Sequence, residues 1–427
     1  HHQGQAGRSG ESLNEAVPSP SHAPFGRRSG SNASKGLRRR LYWLPMGVIA
    51  AANAVFAFGL SRYLAWPGAL AASVVLYFVT LRRFIAQMRD EPRPRWITRC
   101  FDEPLFVHFG ASTLALLLSP VCALLALGLA ALRGELGRSG FEYWRASEAY
   151  VYALGLLTAV WAIWIERRFV RIRRMEVVIA DLPPEFDGYR IAQLSDLHVG
   201  SFDPKARALE WVALSNALEP DLVAVTGDLV TSGRGFYRDV AEALGALRGK
   251  DGVFVSMGNH DQSNNDELTR LVAEHGPTVL RNSSQVIRRG AAVLNVAGID
   301  GRIATAPEVT RTVAACTPGA PVVLLAHYPW TFTAAAAAGA DLVLTGHTHG
   351  GQLGVPFLSQ RLNLARLTGQ RSRGLVHSGK TAMYVNAGLG TTGPPMRLAV
   401  PPEIALITLR RAGSRSPGAA PAGRHEP

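Results

Sequence analysis

The 427-residue chain has only three cysteines, Cys100, Cys122 and Cys316. An odd count, lying outside every polar motif described below, argues against a disulfide framework and agrees with a cytosolic face. The second half has almost no net charge: residues 175–427 carry 23 Lys+Arg against 22 Asp+Glu. A nucleic-acid enzyme carries a basic surface beside its active site, so this near-neutrality disfavours nucleic acid as a partner. The formal charge of +13 comes almost wholly from residues 1–174, with 22 basic against 10 acidic side chains. The first 40 residues lack apolar periodicity and are rich in Gly, Ser, Pro and Arg. That is the composition of a disordered basic tail, and residues 412–427 read as a second one. No internal repeat is present.

Long apolar runs, by contrast, are plentiful before residue 174. They lie at about 41–60, 63–81, 105–132 and 149–165. A helix needs roughly 20 apolar residues to span a bilayer; the first three runs reach that length and the fourth stops at Glu166. Being apolar all round, they suit membrane helices better than the buried helices of a soluble bundle. A cleaved signal peptide would lie nearer the start and would not be followed by three more runs. Residues 41–174 are therefore expected to form an all-α bundle of about four transmembrane helices. Arg38, Arg39 and Arg40 precede the first run, Arg62 alone follows it, six arginines lie between Arg82 and Arg99, and five between Arg167 and Arg174. This asymmetry places the amino terminus and the region after residue 175 inside.

The second half, 175–411, alternates strand-like and helix-like segments. Five polar clusters follow one another in it: Asp196-Leu197-His198, Gly227-Asp228, Gly258-Asn259-His260-Asp261, His327, and Gly346-His347-Thr348-His349. Each comes directly after an apolar, β-branched-rich run (IAQLS, LVAVT, VFVSM, VVLLA, LVLT) of the kind that forms a buried strand. Each cluster thus sits at a strand's carboxyl end, where open α/β sheets place ligand sites. Taken alone, Asp196 or Asp228 could be a helix N-cap, Asn259 a turn residue and His327 a satisfied core histidine. Together, Asp, Asn and His supply the oxygen and imidazole donors that suit first-row divalent metals.

The order DxH, GD, GNHD, H, GHxH resembles the metallophosphoesterase, or calcineurin-like phosphoesterase, superfamily, over about residues 190–408. The resemblance implies a four-layer α/β/β/α sandwich of two mixed sheets and a site for two divalent ions, with Mn, Fe, Zn, Co and Ni all compatible. It assigns Asp228 as the carboxylate touching both ions, Asp196, His198 and His349 to the first, and Asn259, His327 and His347 to the second. His260 is expected to contact phosphate and protonate the leaving oxygen, with Asp261 either orienting it or acting as an N-cap or turn residue. Arg397 is a candidate for gripping a phosphate oxygen, although a single arginine is more often a solvated surface charge. The GHTHGGQ ending points towards lipid-linked phosphoesters, including those cleaved by UDP-2,3-diacylglucosamine hydrolases, from whose soluble members this chain departs by its four spans. The expectation is a membrane-anchored phosphohydrolase of bacterial type acting on a phosphorylated small molecule or lipid head group at the cytosolic face. A nucleotide phosphodiesterase or nuclease and a silent membrane scaffold are the alternatives; the scaffold is disfavoured because no ligand position is missing.

Overall fold

The computed structural model describes residues 31–87, 92–135, 137–261, 265–301 and 304–413, with side chains in the first helix described from Met46 onward. The expected tails at 1–30 and 414–427 lie outside the described residues. The chain divides into a unit of residues 1–47 and a unit of residues 48–427 that carries everything argued below. Among the described residues four helices come first: α1 Ser31–Leu60, α2 Trp66–Gln87, α3 Arg95–Leu132 and α4 Arg138–Arg168. Among the described residues, α2, α3 and α4 are long and apolar enough to cross a membrane, and Met46–Leu60 within α1 is a shorter apolar helix.

The helices outrun the apolar runs. Helix α1 starts at Ser31, inside the expected tail, and α4 extends to Arg168 rather than stopping at Ile165. Apolarity marks only what the hydrocarbon must cover, whereas flanking arginine and glutamate are good helix formers that carry the helix on. Small residues let the bundle close: a Cβ on Gly155 of α4 would meet the Ala111 backbone of α3 at 2.8 Å.

Twelve strands follow: β1 Arg171–Ile179, β2 Arg190–Leu194, β3 Leu222–Thr226, β4 Val253–Ser256, β5 Thr278–Val279, β6 Ser283–Arg289, β7 Ala292–Gly298, β8 Val322–Leu325, β9 Leu342–Thr345, β10 Gly374–Ser378, β11 Thr381–Val385 and β12 Glu403–Arg411. They form two six-stranded mixed sheets, ordered β1-β12-β2-β3-β4-β5 and β10-β11-β9-β8-β7-β6. Strands β2, β3 and β4 are parallel neighbours in the first sheet, β8 and β9 in the second. One core lies between the sheets, with Ile191, Leu222 and Ile407 facing Leu294, Val323 and Leu344. Helices α5 Lys205–Asn216, α6 Tyr237–Gly245 and α7 Asn265–Glu274 cover the first sheet's other face through Trp211, Val240 and Leu268. Helices α8 Ala306–Ala314 and α9 Phe332–Ala338 cover the second through Val309 and Phe332. Strands buried on both faces need apolar side chains on both, which is why the motif-bearing runs are continuous rather than alternating. The result is the four-layer α/β/β/α sandwich.

The sandwich is packed directly onto the helical region. Phe106 and Val107 of α3 and Ile163 of α4 form one cluster with Met396, Phe202, Leu353 and Leu398 from loops of the sandwich. The Arg397 N–H donates to the Ala162 carbonyl at 3.1 Å. Only Phe169 and Val170 separate α4 from β1.

Candidate metal centre

All five polar motifs occupy loops at strand carboxyl ends. Asp196-His198, Asp228 and Asn259-His260 follow β2, β3 and β4; His327 and His347-His349 follow β8 and β9. Backbone bonds join the loops: Asp196 N–H donates to Gly227 O, His198 N–H to Asp228 O and Gly346 N–H to His327 O, each at 3.0 Å. The two sheets meet where the Asp196 carboxylate accepts the His347 N–H at 3.0 and 3.1 Å. Glycine is required at two of these approaches. A Cβ on Gly258 would strike Asp228 Oδ1, and one on Gly346 would strike Ser195 Oγ and Asp196 Oδ2.

Asp196, His198, Asp228, His347 and His349 have φ of 51°, 45°, 53°, 70° and 50°. Non-glycine residues are uncommon in this left-handed region, at a cost of ~1–3 kcal/mol each. Strain concentrated on residues that converge on one place marks a functional site rather than a stability feature.

The ligand atoms fall into two groups that share Asp228: Asp196, His198, Asp228 and His349 in one, Asp228, His327 and His347 in the other. Within each, the atoms lie within 4.8 Å of one another. Asp228 Oδ1 accepts the His260 N–H at 2.8 Å, so Oδ2 is the oxygen that faces both groups, 3.5 Å from His198 Nε2 and 3.2 Å from His327 Nε2. Asn259 Oδ1 joins the second group at 3.2 Å from His327 Nε2. The Nδ1 of His327 donates to the Thr226 carbonyl at 2.9 Å, which orients the ring and turns Nε2 inward.

The donor chemistry fits cations. His198 Nε2 lies 3.0 Å from His349 Nε2, and His347 Nδ1 lies 3.2 Å from His327 Nε2. Each nitrogen pair can share at most one proton, so further lone pairs aim at the same space. Two pockets of imidazole, carboxylate and amide oxygen donors joined by one carboxylate oxygen suit two first-row divalent ions.

Electrostatics agree. Burial pushes the His347 imidazole down to about 4, with nearby His327 adding to it, and burial holds His198 and His349 below the usual histidine value. All three are thus neutral at pH 7, the form in which an imidazole can donate to a cation. Burial would raise Asp228, but His327, His198 and His260 override it and hold the carboxylate well below its usual range. Burial would lower His327, but the Asp228 carboxylate wins and raises it to about 9. Without a cation, a proton on His327 sits where a positive ion would.

Three sequence expectations are placed differently from one another. His260 is half-buried at the rim; its Nδ1 donates to the Thr231 carbonyl and its ring lies edge-on to His198 at 4.7 Å between centroids. Asp261 does not orient it. Its Oδ1 accepts Leu229 N–H at 2.8 Å and Val230 N–H at 3.3 Å, and its Oδ2 accepts Gly258 N–H at 2.7 Å. This is the turn-residue alternative: a wholly buried carboxylate tying the Asp228 loop to the Asn259 loop. Arg397 is not a surface or substrate-facing cation either. It is 0% exposed and donates to the carbonyls of Ala387, Gly390 and Val400, with Nη2 3.5 Å from His349 Nδ1. Its guanidinium is consumed by backbone oxygens behind the site.

Two features escaped sequence reasoning. Trp330, 57% exposed, stacks on Tyr328 with centroids 4.0 Å apart and stands edge-on to His347 at 5.2 Å. The signal was the Tyr-Pro-Trp directly after His327. The segment after His349 also exposes Val355, Phe357, Leu358, Leu362, Leu364 and Leu367, a row of apolar side chains in an otherwise ordinary loop.

A sandwich of this kind, carrying two donor groups that share one aspartate at its strand ends, defines a metallophosphoesterase. Comparison with known proteins agrees: the calcineurin-like phosphoesterase family profile matches residues 189–351. A transmembrane protein with metallophosphoesterase domain from Danio rerio is 34% identical over 253 residues, 56% of this chain and 57% of that protein. Uncharacterized metallophosphoesterases of Bacillus subtilis and Aquifex aeolicus are 28% and 30% identical, over 60% and 58% of this chain and 93% and 95% of theirs. The chain thus spans little more than half of the Danio rerio relative but nearly all of the two bacterial ones. It belongs to the calcineurin-like phosphoesterase family.

Proposed function

We propose that the protein is a membrane-anchored phosphoric ester hydrolase that uses two divalent cations to cleave a phosphoester or pyrophosphate bond presented at the cytosolic bilayer surface. The observation that carries this is Asp228, whose Oδ2 faces both donor groups while Oδ1 is held by the His260 N–H. Asp196, His198, Asp228 and His349 would hold one ion, and Asp228, Asn259, His327 and His347 the other. Bound divalent ions polarise phosphoryl oxygens and lower the pKa of water. The chain's own residues do the rest. Asp261 holds two ligand loops in register, Arg397 braces the loops behind His349, and His260, fixed through Nδ1, offers Nε2 for protonating a leaving oxygen.

A lipid-borne substrate is supported by two facts. The sandwich is packed against helices suited to a bilayer, and the apolar row from Val355 to Leu367 begins just past Leu353, which packs in that same junction. Exposed apolar rows of this kind mark membrane or partner contacts. Asp228→Asn in the full chain tests the reading: metal content should fall and hydrolysis of phosphoesters and nucleotide-sugar pyrophosphates should drop to background. Wild-type turnover with two bound ions would overturn it.

A nucleotide-bearing substrate is the second reading, favoured by Trp330, an exposed ring stacked on Tyr328 beside His347. It would let a base stack while the phosphate meets the ions, as a diacylglucosamine nucleotide of the UDP-2,3-diacylglucosamine type would require. Trp330→Ala should then raise KM for a nucleotide substrate and leave p-nitrophenyl phosphate unaffected.

A further inference from the structure

A cavity of about 120 Å³ opens where α3 and α4 meet residues 201–204, the loop that follows Asp196-Leu197-His198. Five arginines line it, Arg95 and Arg99 from α3, Arg167 and Arg168 from α4 and Arg207 from α5, against three carboxylates. The carboxylates are already engaged. Glu103 pairs with Arg167 at 3.1 Å and accepts Trp164 Nε1 at 2.6 Å, Glu210 pairs with Arg207, and buried Asp203 accepts Thr391 Oγ1 at 3.3 Å. The side chains of Arg95, Arg99 and Arg168 make no ion pair or hydrogen bond among the described residues. Arg167 is 4% exposed, and its Nε and Nη1 have no hydrogen-bond partner among the described residues.

Convergent cations of which one is buried with unmet donors are costly. The ligand that relieves this is an anion with several acceptor oxygens, and guanidinium groups match phosphate in geometry as well as charge. A water needs about 10–15 Å³ of such space, so a cavity of about 120 Å³ admits a phosphate's oxygens. Its depth is marked by Trp96, Phe101 and Phe169, all exposed and interleaved in sequence with the arginines. Exposed aromatics beside arginine at helix ends are what sits at a bilayer's head-group level, where anionic lipids attract basic residues. Topogenic arginines need only lie on one side of the membrane; here two segments some 70 residues apart in sequence are brought into one cavity.

We propose that this cavity binds an anionic phosphate group at the membrane surface, separate from the metal centre and not dependent on its chemistry. The group is either the head group of an anionic phospholipid or free phosphate. The test uses the full chain in nanodiscs of phosphatidylcholine with and without phosphatidylglycerol, reading retained lipid by native mass spectrometry. Arg99→Gln with Arg168→Gln neutralises two exposed arginines without disturbing buried Arg167. Arg270→Gln with Arg311→Gln is the matched control outside the cavity. An arginine beside an anionic surface is worth about fivefold in affinity, so the first pair should lower the preference for phosphatidylglycerol on the order of 20–30-fold and the control should retain it. Inorganic phosphate in phosphatidylcholine discs separates the sources: a rise in Tm for the wild type but not for the first pair identifies free phosphate as a ligand, and selective retention of phosphatidylglycerol alone identifies the head group. The proposal is overturned if neither ligand distinguishes the wild type from the first pair, or if the control pair loses binding equally.

Discussion

His260 keeps one ring nitrogen on the Thr231 carbonyl and presents the other at the rim, so its contribution separates cleanly from metal binding. His260→Gln should leave metal content intact and lower kcat by roughly 10²–10⁴, the range for a lost general acid. The loss should be smaller for p-nitrophenyl phosphate, whose leaving group needs little protonation; equal losses for good and poor leaving groups would assign His260 to phosphate binding alone. His327 makes a pH prediction. Burial works against its protonation, yet Asp228 raises it to about 9, so the stripped protein carries a proton there at pH 7. A cation must displace it, and uptake at pH 7 should release about one proton for that site. Burial raises Asp196 to about 6, so a further proton is released below that pH, and affinity should climb as pH rises from 5 to 9. Calorimetry in buffers of different ionisation enthalpy reads the proton count; zero release at pH 7 would contradict the pairing. The residues that gather into the two donor groups were legible because few residue types can do ligand chemistry. Asp261 and Arg397 were not, because their roles are set by which backbone groups they face. An aspartate beside a histidine suggests an imidazole partner, yet three N–H groups claim it. A lone arginine suggests solvent, yet Arg397 is sealed in by carbonyls.

The element that positions the shared aspartate is the pair of turns after β3 and β4, which approach so closely that Gly258 cannot carry a side chain. Gly258→Ala should push the Asp228 carboxylate out of place, lowering metal content and activity together while the sandwich, held by separate cores, still melts cooperatively. Full metal occupancy in this variant would show the turn to be more pliant than its packing implies. Strands were legible wherever both faces are buried, since each such run is continuously apolar. Helix ends were not: Arg138–Arg168 runs far beyond the apolar stretch that revealed it, because bilayer thickness limits apolarity and not helicity.

For the molecule as a whole, the side of the membrane is a matter of counting crossings and charges. We propose, from the arginines gathered between Arg82 and Arg99 and between Arg167 and Arg174, that both segments lie inside. A reporter fused near Ala65 should register outside and one fused after Arg174 inside, and the sandwich should resist protease in sealed right-side-out vesicles. Ready digestion there would put it outside, as would follow if the fourth span were merely interfacial.

Between α4 and β1 the chain has two residues, and the cluster around Ile163 and Met396 ties the helices to the sandwich beside them. With the helices seated in a bilayer, as we propose, the loops that carry the donor groups would ride at one height above it, like a reading head over a surface. Substrates would then be sorted by how far their phosphate stands from the lipid before any contact chemistry acts. For the lipid-borne substrate we propose, encounter would become a two-dimensional search, in which surface density of the substrate, rather than bulk concentration, governs the rate.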